Sequence, residues 1–116
     1  MTEPSWQYYE ASGGGDVVIK EIAAELGSDV NLLVKLTGLQ ERIRTGQTLP
    51  RDVKHLGQGL YEGRLSVQRN EWRLFYARTQ EGFVFLALHF VQKKRQRIPR
   101  AIKKARDRLR DWEEEE

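Results

Sequence analysis

The stretch Phe83–Arg100 reads F-V-F-L-A-L-H-F-V-Q-K-K-R-Q-R-I-P-R, and its reading decides the fold. Phe83 to Val91 is almost wholly apolar, rich in aromatic and β-branched residues. That predicts a central strand covered on both faces. The strand runs straight into four cations, Lys93, Lys94, Arg95 and Arg97. Pro99 follows, and proline suits the first turn of a helix, where its missing N–H costs nothing. Ile98, Ile102, Ala105, Leu109 and Trp112 then recur at helical spacing and predict an amphipathic helix. Its opposite face carries Arg100, Lys103, Lys104, Arg106, Arg108 and Arg110. A rigid buried strand thus delivers a knot of positive charge to one end of a sheet, a stiff support for a polyanion site.

Upstream, Leu60 to Gln68 alternates, with Tyr61, Leu65 and Val67 on one face and Glu62, Arg64, Ser66 and Gln68 on the other. Trp72 to Ala77 forms the next strand. Trp72, Leu74 and Tyr76 share one face, Arg73 and Phe75 the other. Arg69-Asn70-Glu71 and Gln80-Glu81-Gly82 are the connecting turns. Leu49 to Gly59 reads as a loop that holds His55.

Earlier still, Asp16 is set to cap a helix bearing Ile19, Ile22, Ala23 and Leu26, which Gly27 ends. Ser28 is placed to cap a second helix with the stripe Leu32, Leu33, Leu36, Leu39 and Ile43, closed by Gly46. So short a link predicts an antiparallel helical hairpin packed on the sheet. Trp6 to Glu10 reads as a short aromatic strand. Gly13 to Gly15 form a flexible turn, lacking the Lys-Ser/Thr ending of a phosphate loop. The order is β-α-α-β-β-β-α. The chain is one α+β domain over residues 1–116, with a small, mainly antiparallel sheet, an N-terminal helical hairpin and a C-terminal helix.

Of 116 residues, 20 are Lys or Arg and 17 Asp or Glu, a net charge of +3. Half of these cations fall between Lys93 and Arg110, where Asp107 is the single acid. Such a patch points to a phosphate backbone as partner. No run is long and apolar enough for a membrane span, and Met1 to Pro4 lacks a signal core, so a cytoplasmic protein is expected. The absence of cysteine excludes disulfides and thiol catalysis, and two histidines make a zinc site unexpected. No metal and no cofactor is expected.

Chemistry points to three basic positions that converge: Arg64, Arg73 and the Lys93, Lys94 and Arg95 cluster. Adjacent strands bring side chains of one face within about 5 Å. Glu62, two residues before Arg64, points the same way. Guanidinium and ammonium groups around one carboxylate suit phosphodiester cleavage on RNA, where charge on the pentavalent phosphorus must be stabilised without a metal. The base is open among Glu62, a lysine and a histidine. His89 is in phase with Phe83, Phe85 and Ala87, a place where a histidine is ordinarily a hydrogen-bonded core residue.

V-K-H-L-G-Q-G-L-Y-E-G-R-L at Val53–Leu65, W-R-L-F-Y at Trp72–Tyr76 and L-H-F-V-Q-K-K-R-Q-R-I-P at Leu88–Pro99 resemble motifs of RelE/HigB-like toxins of type II toxin–antitoxin systems. Within that superfamily the chain resembles most the phage-derived toxin subfamily. The resemblance covers nearly the whole chain, and its late motifs are the specific ones. It implies a RelE-like fold and an mRNA interferase that cuts translated mRNA in the ribosomal A site. It also implies a helix-turn-helix antitoxin as partner. Residue by residue, Arg73 matches the arginine on the scissile phosphate. Arg64 matches a basic residue of the preceding strand, Lys93 and Lys94 the basic pair after the last strand, and Glu62 an acidic position of the subfamily. The chain departs from the pattern at Gly63, which suggests a bend or bulge, and in having no tyrosine in the last helix.

The expected function is therefore a ribosome-dependent, metal-independent endoribonuclease. Catalysis is assigned to Arg73, Arg64, Lys93, Lys94, Glu62 and His89, and RNA docking to Arg95, Arg97, Arg100, Lys103 and Lys104. The alternative is a non-enzymatic toxin or phage protein of the same fold that binds gyrase or another host factor. A plain nucleic-acid-binding module is a third reading.

Overall fold

In a computed structural model that describes residues 3–79 and 84–115, the chain folds as an α+β domain. Its elements are β1 (Ser5–Tyr8), α1 (Val17–Leu26), α2 (Val30–Thr45), β2 (Val53–Gly57), β3 (Leu60–Val67), β4 (Asn70–Arg78), β5 (Val84–Gln92) and α3 (Ile98–Glu114). The sheet order is β1-β5-β4-β3-β2. All pairs are antiparallel except β1 with β5. The central strand is nevertheless β4, with the apolar β5 beside it. The expected Gln80-Glu81-Gly82 turn and Phe83 lie outside the described residues.

Several sequence expectations change. Val53–Gly57 is a strand, not part of a loop. Gln58 and Gly59, both at positive φ, form the tight turn that pairs it with β3. None of its residues is fully buried, as an edge strand permits. Gly63, by contrast, neither bends nor bulges β3; it pairs in register with Val53 on one side and Leu74 on the other. A Cβ there would stand 3.2 Å from both a Leu39 methyl and the Leu74 carbonyl oxygen. Glycine therefore lets α2 press close to the sheet.

Register shifts lie instead in β2, between His55 and Gly57, and in β5. Phe75 faces His89, but Tyr76 faces Ala87, so Leu88 is an extra residue. An extra residue resets the alternation. Phe85 and Ala87 share a face with Tyr76, while His89 shares the other with Phe75. The in-phase reading of His89 with Phe85 and Ala87 is thereby corrected.

One sheet face carries Trp72, Leu74, Phe90 and Leu65, covered by the two N-terminal helices. These helices lie on the sheet, α1 against β5 and α2 against β3, and touch each other little. Leu32, Leu36, Leu39 and Ile43 of α2 are buried as the stripe requires, but Leu33 is 45% exposed. In α1 the inward line starts at Val18 and leaves Ile19 outside. The cap of α2 is Asp29, whose carboxylate accepts from Leu32 N–H at 3.1 Å, rather than Ser28.

The helix α3 packs on β5 and β4 through the buried Ala101 and Ala105, with Ile102, Leu109 and Trp112 partly buried. Two cations read as solvent-facing are fasteners. Arg106 donates to the carbonyls of Leu56 and Gly57, and Arg108 to that of Leu88. Among the described residues no helix is long and apolar enough to cross a membrane.

Candidate functional site

The meander aligns the expected cations. Arg64 and Arg73 are direct cross-strand partners, and Val91 of β5 completes the row. Because Arg64 N–H points away from β4, to Asp52 O at 2.8 Å, the Arg64–Arg73 pair is a non-hydrogen-bonded one. Side chains of such a pair stand closest together. Two like charges at that spacing repel, and Glu62 resolves the conflict. Its carboxylate accepts from Arg64 Nε at 2.9 Å and lies 3.8 Å from Arg73 Nε. Glu62 is only 3% exposed, so its partners do essentially all of its solvation.

Arg73 is itself 6% exposed. One guanidinium nitrogen donates to the carbonyl of Trp72, another to Glu71 at 3.0 Å. The same Glu71 carboxylate lies 3.8 Å from Lys93 Nζ, and Lys93 N–H donates to the Glu71 carbonyl. Hydrogen bonding from Arg73, then the charges of Arg73 and Lys93, outweigh burial and hold the Glu71 carboxyl below its usual range. A continuous chain of charge results: Arg64, Glu62, Arg73, Glu71, Lys93. Glu62 and Arg73 within it are buried, whereas Glu71 and the ends, Arg64 and Lys93, reach solvent. Glu71 sits between Arg73 and Lys93.

The remaining cations divide. Lys94, Arg97 and Arg100 are exposed and pair with no acid among the described residues. They surround the start of α3, which has no acid in its first turn and so adds a partial positive charge. Arg95 turns toward α1, reaching Gln92 and Glu25. Lys103 pairs with Asp107 at 2.9 Å, and Lys104 lies 3.9 Å from Glu21.

His89 stands apart from the cationic row. It is 3% exposed and stacks on Phe75. Its Nδ1 lies 2.9 Å from Glu21 and its Nε2 lies 2.6 Å from the Gln96 side chain. Glu21 also accepts from Arg108 and from Phe90 N–H, on the stretch of β5 that β1 leaves uncovered. Burial pushes the Glu21 carboxyl up, but hydrogen bonds from His89 and Arg108 prevail and hold it at about 2. Both ring nitrogens of His89 are thus committed to holding α1 and the turn before α3 against β5.

Two carboxylates were not anticipated. Glu71 had a signal, since it lies two residues before Arg73 and alternation puts both on one face. Glu21 had none; its partners lie 68 and 87 residues away.

A family model described as Phage derived protein Gp49-like (DUF891) matches residues 26–110, well over half of the chain. No curated protein matches it.

Proposed function

The chain belongs to the Gp49-like family of phage-derived proteins, part of the RelE/ParE-like toxin superfamily, and from that premise we propose that it is a type II toxin acting as a metal-independent mRNA endoribonuclease. Its proposed target is translated mRNA in the ribosomal A site, and its proposed antagonist a helix-turn-helix antitoxin. The observation that carries the reading is the Arg64–Glu62–Arg73–Glu71–Lys93 chain, with Lys94, Arg97 and Arg100 at its open end. Fixed cations aimed at a phosphate stabilise the charge that develops as the 2′-oxygen, giving its proton to solvent, attacks phosphorus and the bond to the 5′-oxygen breaks, that oxygen taking a proton from solvent. Arg64 and Lys93 receive the phosphate, which displaces Glu71 from Arg73 and completes the cradle. Glu62 holds both guanidinium groups in place; buried and paired, it acts as a positioning residue. His89 is left out of the proton transfers, because both of its nitrogens are engaged elsewhere.

A second reading has its own support: Arg73 is buried and already occupied, as in a binder that cleaves nothing. That reading is a non-enzymatic toxin acting on gyrase or another host factor. Primer extension on cellular mRNA after induction separates the two. In-frame cuts in translated messages are expected; intact messages with DNA damage would establish the second. Arg73→Ala is expected to cut cleavage by about 100-fold and relieve growth arrest, with folding checked by circular dichroism. A folded variant as toxic as the parent removes Arg73 from the site.

A further inference from the structure

The row of cations does not stop at Arg64. Beyond β3 it opens into a cleft of about 580 Å³, whose lining includes Lys35, Arg42, Arg51, Asp52, Arg64 and Ser66. Four of these are cations and one is an acid. The acid is taken, since Arg42 grips Asp52 with two hydrogen bonds of 2.8 and 3.1 Å. Lys35 and Arg51 are exposed and pair with no acid among the described residues. The backbone adds a donor. The bond from Arg64 N–H to Asp52 O is the last between β3 and the β2 side, and alternation turns the next outward N–H, that of Ser66, into the cleft. The cleft therefore offers anions two free cations, a shared Arg64 and a sheet-edge donor. Leu49, 60% exposed at the rim, offers an apolar surface to a base.

Lys93, Arg73, Arg64 and this cleft follow one another across the strands, from the end of β5 over β4 and β3 to the sheet edge. At strand spacing the row extends about 15 Å, longer than one phosphate and suited to a backbone carrying several. We propose that the cleft is the path of single-stranded RNA flanking the phosphate held at Arg64 and Arg73, with Lys35 and Arg51 holding backbone phosphates of the neighbouring nucleotides. The proposal rests on the RNA reading above.

The test is binding of a labelled single-stranded oligoribonucleotide of about ten nucleotides at several salt concentrations. Three doubly substituted chains are compared with the parent: Lys35→Ala with Arg51→Ala, the charge-keeping Lys35→Arg with Arg51→Lys, and the control Lys20→Ala with Arg110→Ala. Each phosphate contact contributes about 0.7 to the salt slope on single strands, so the first double is expected to lower the slope by about 1.4 and weaken binding about tenfold. The charge-keeping double and the control keep the parent's slope. Equal losses in the first double and the control would overturn the cleft assignment, leaving only diffuse charge. So would parental binding by the first double. If the parent binds no RNA even at low salt, the cleft assignment falls, and the cleavage assay above decides separately whether the toxin reading survives.

Discussion

Two charged assemblies flank the same sheet and serve opposite ends. Around Glu21, a carboxylate is met by His89, Arg108 and the Phe90 N–H, and its charge is spent inside the protein. Around Glu62 the carboxylate is buried still more deeply, but the guanidinium and ammonium groups it organises lead outward to Arg64 and Lys93. The first closes an uncovered strand edge; the second presents a cationic row. Buried charge alone does not mark a binding site. What distinguishes one is a surplus of cations whose ends remain in contact with solvent.

The sharpest way to break this comparison is to remove Glu21. Glu21→Ala strands the buried His89 and Arg108, and loss of one partner of a buried ion pair costs about 3–5 kcal/mol. Denaturant unfolding is expected to show that loss, while RNA binding per folded molecule stays parental. A fall in binding at unchanged stability would make the two assemblies one. Acid probes the same contrast. The Glu21 carboxyl is held at about 2 against an ordinary 4.5. Its contribution, about 3 kcal/mol at 1.36 kcal/mol per unit, is present above pH 4.5 and declines as pH falls toward 2. Unfolding followed between pH 6 and 2 should lose this increment in the parent and not in Glu21→Gln.

Gly63 tests the platform under the row. Gly63→Ala drives a methyl against Leu39 and the Leu74 carbonyl, and overpacking of this kind costs about 1–3 kcal/mol. A thermal melt no lower than the parent's would show that α2 can yield. The smallest effect is expected at Glu71. Glu71→Gln removes the charge that faces Arg73 and Lys93, and at such an exposed site oligonucleotide binding should tighten by up to about fivefold. Weaker binding would instead give Glu71 a positioning role.

Much of this was legible in the chain. The β3 and β4 alternation placed Glu62, Arg64 and Arg73 on one face because period-two patterning is local. The spacing from Ile98 to Trp112 defined α3. β2 escaped because a short edge strand with only Val53 and Leu56 packed on the core has little apolar patterning to read. Arg106 and Arg108 were misplaced because a cation on a helix looks the same whether it meets water or a carbonyl across the fold.

By itself, then, the sequence determined the element types apart from β2, the α+β class and the cationic row, since each follows from residues close together in the chain. Only the tertiary structure decided that Leu88 is a bulge, that His89 consequently leaves the phase of Phe85 and Ala87, and that Glu21 ties it down. Strand phase is inherited from residue to residue until a partner strand forces an extra one in. Where that happens depends on register, and register is set by contacts that no local pattern contains.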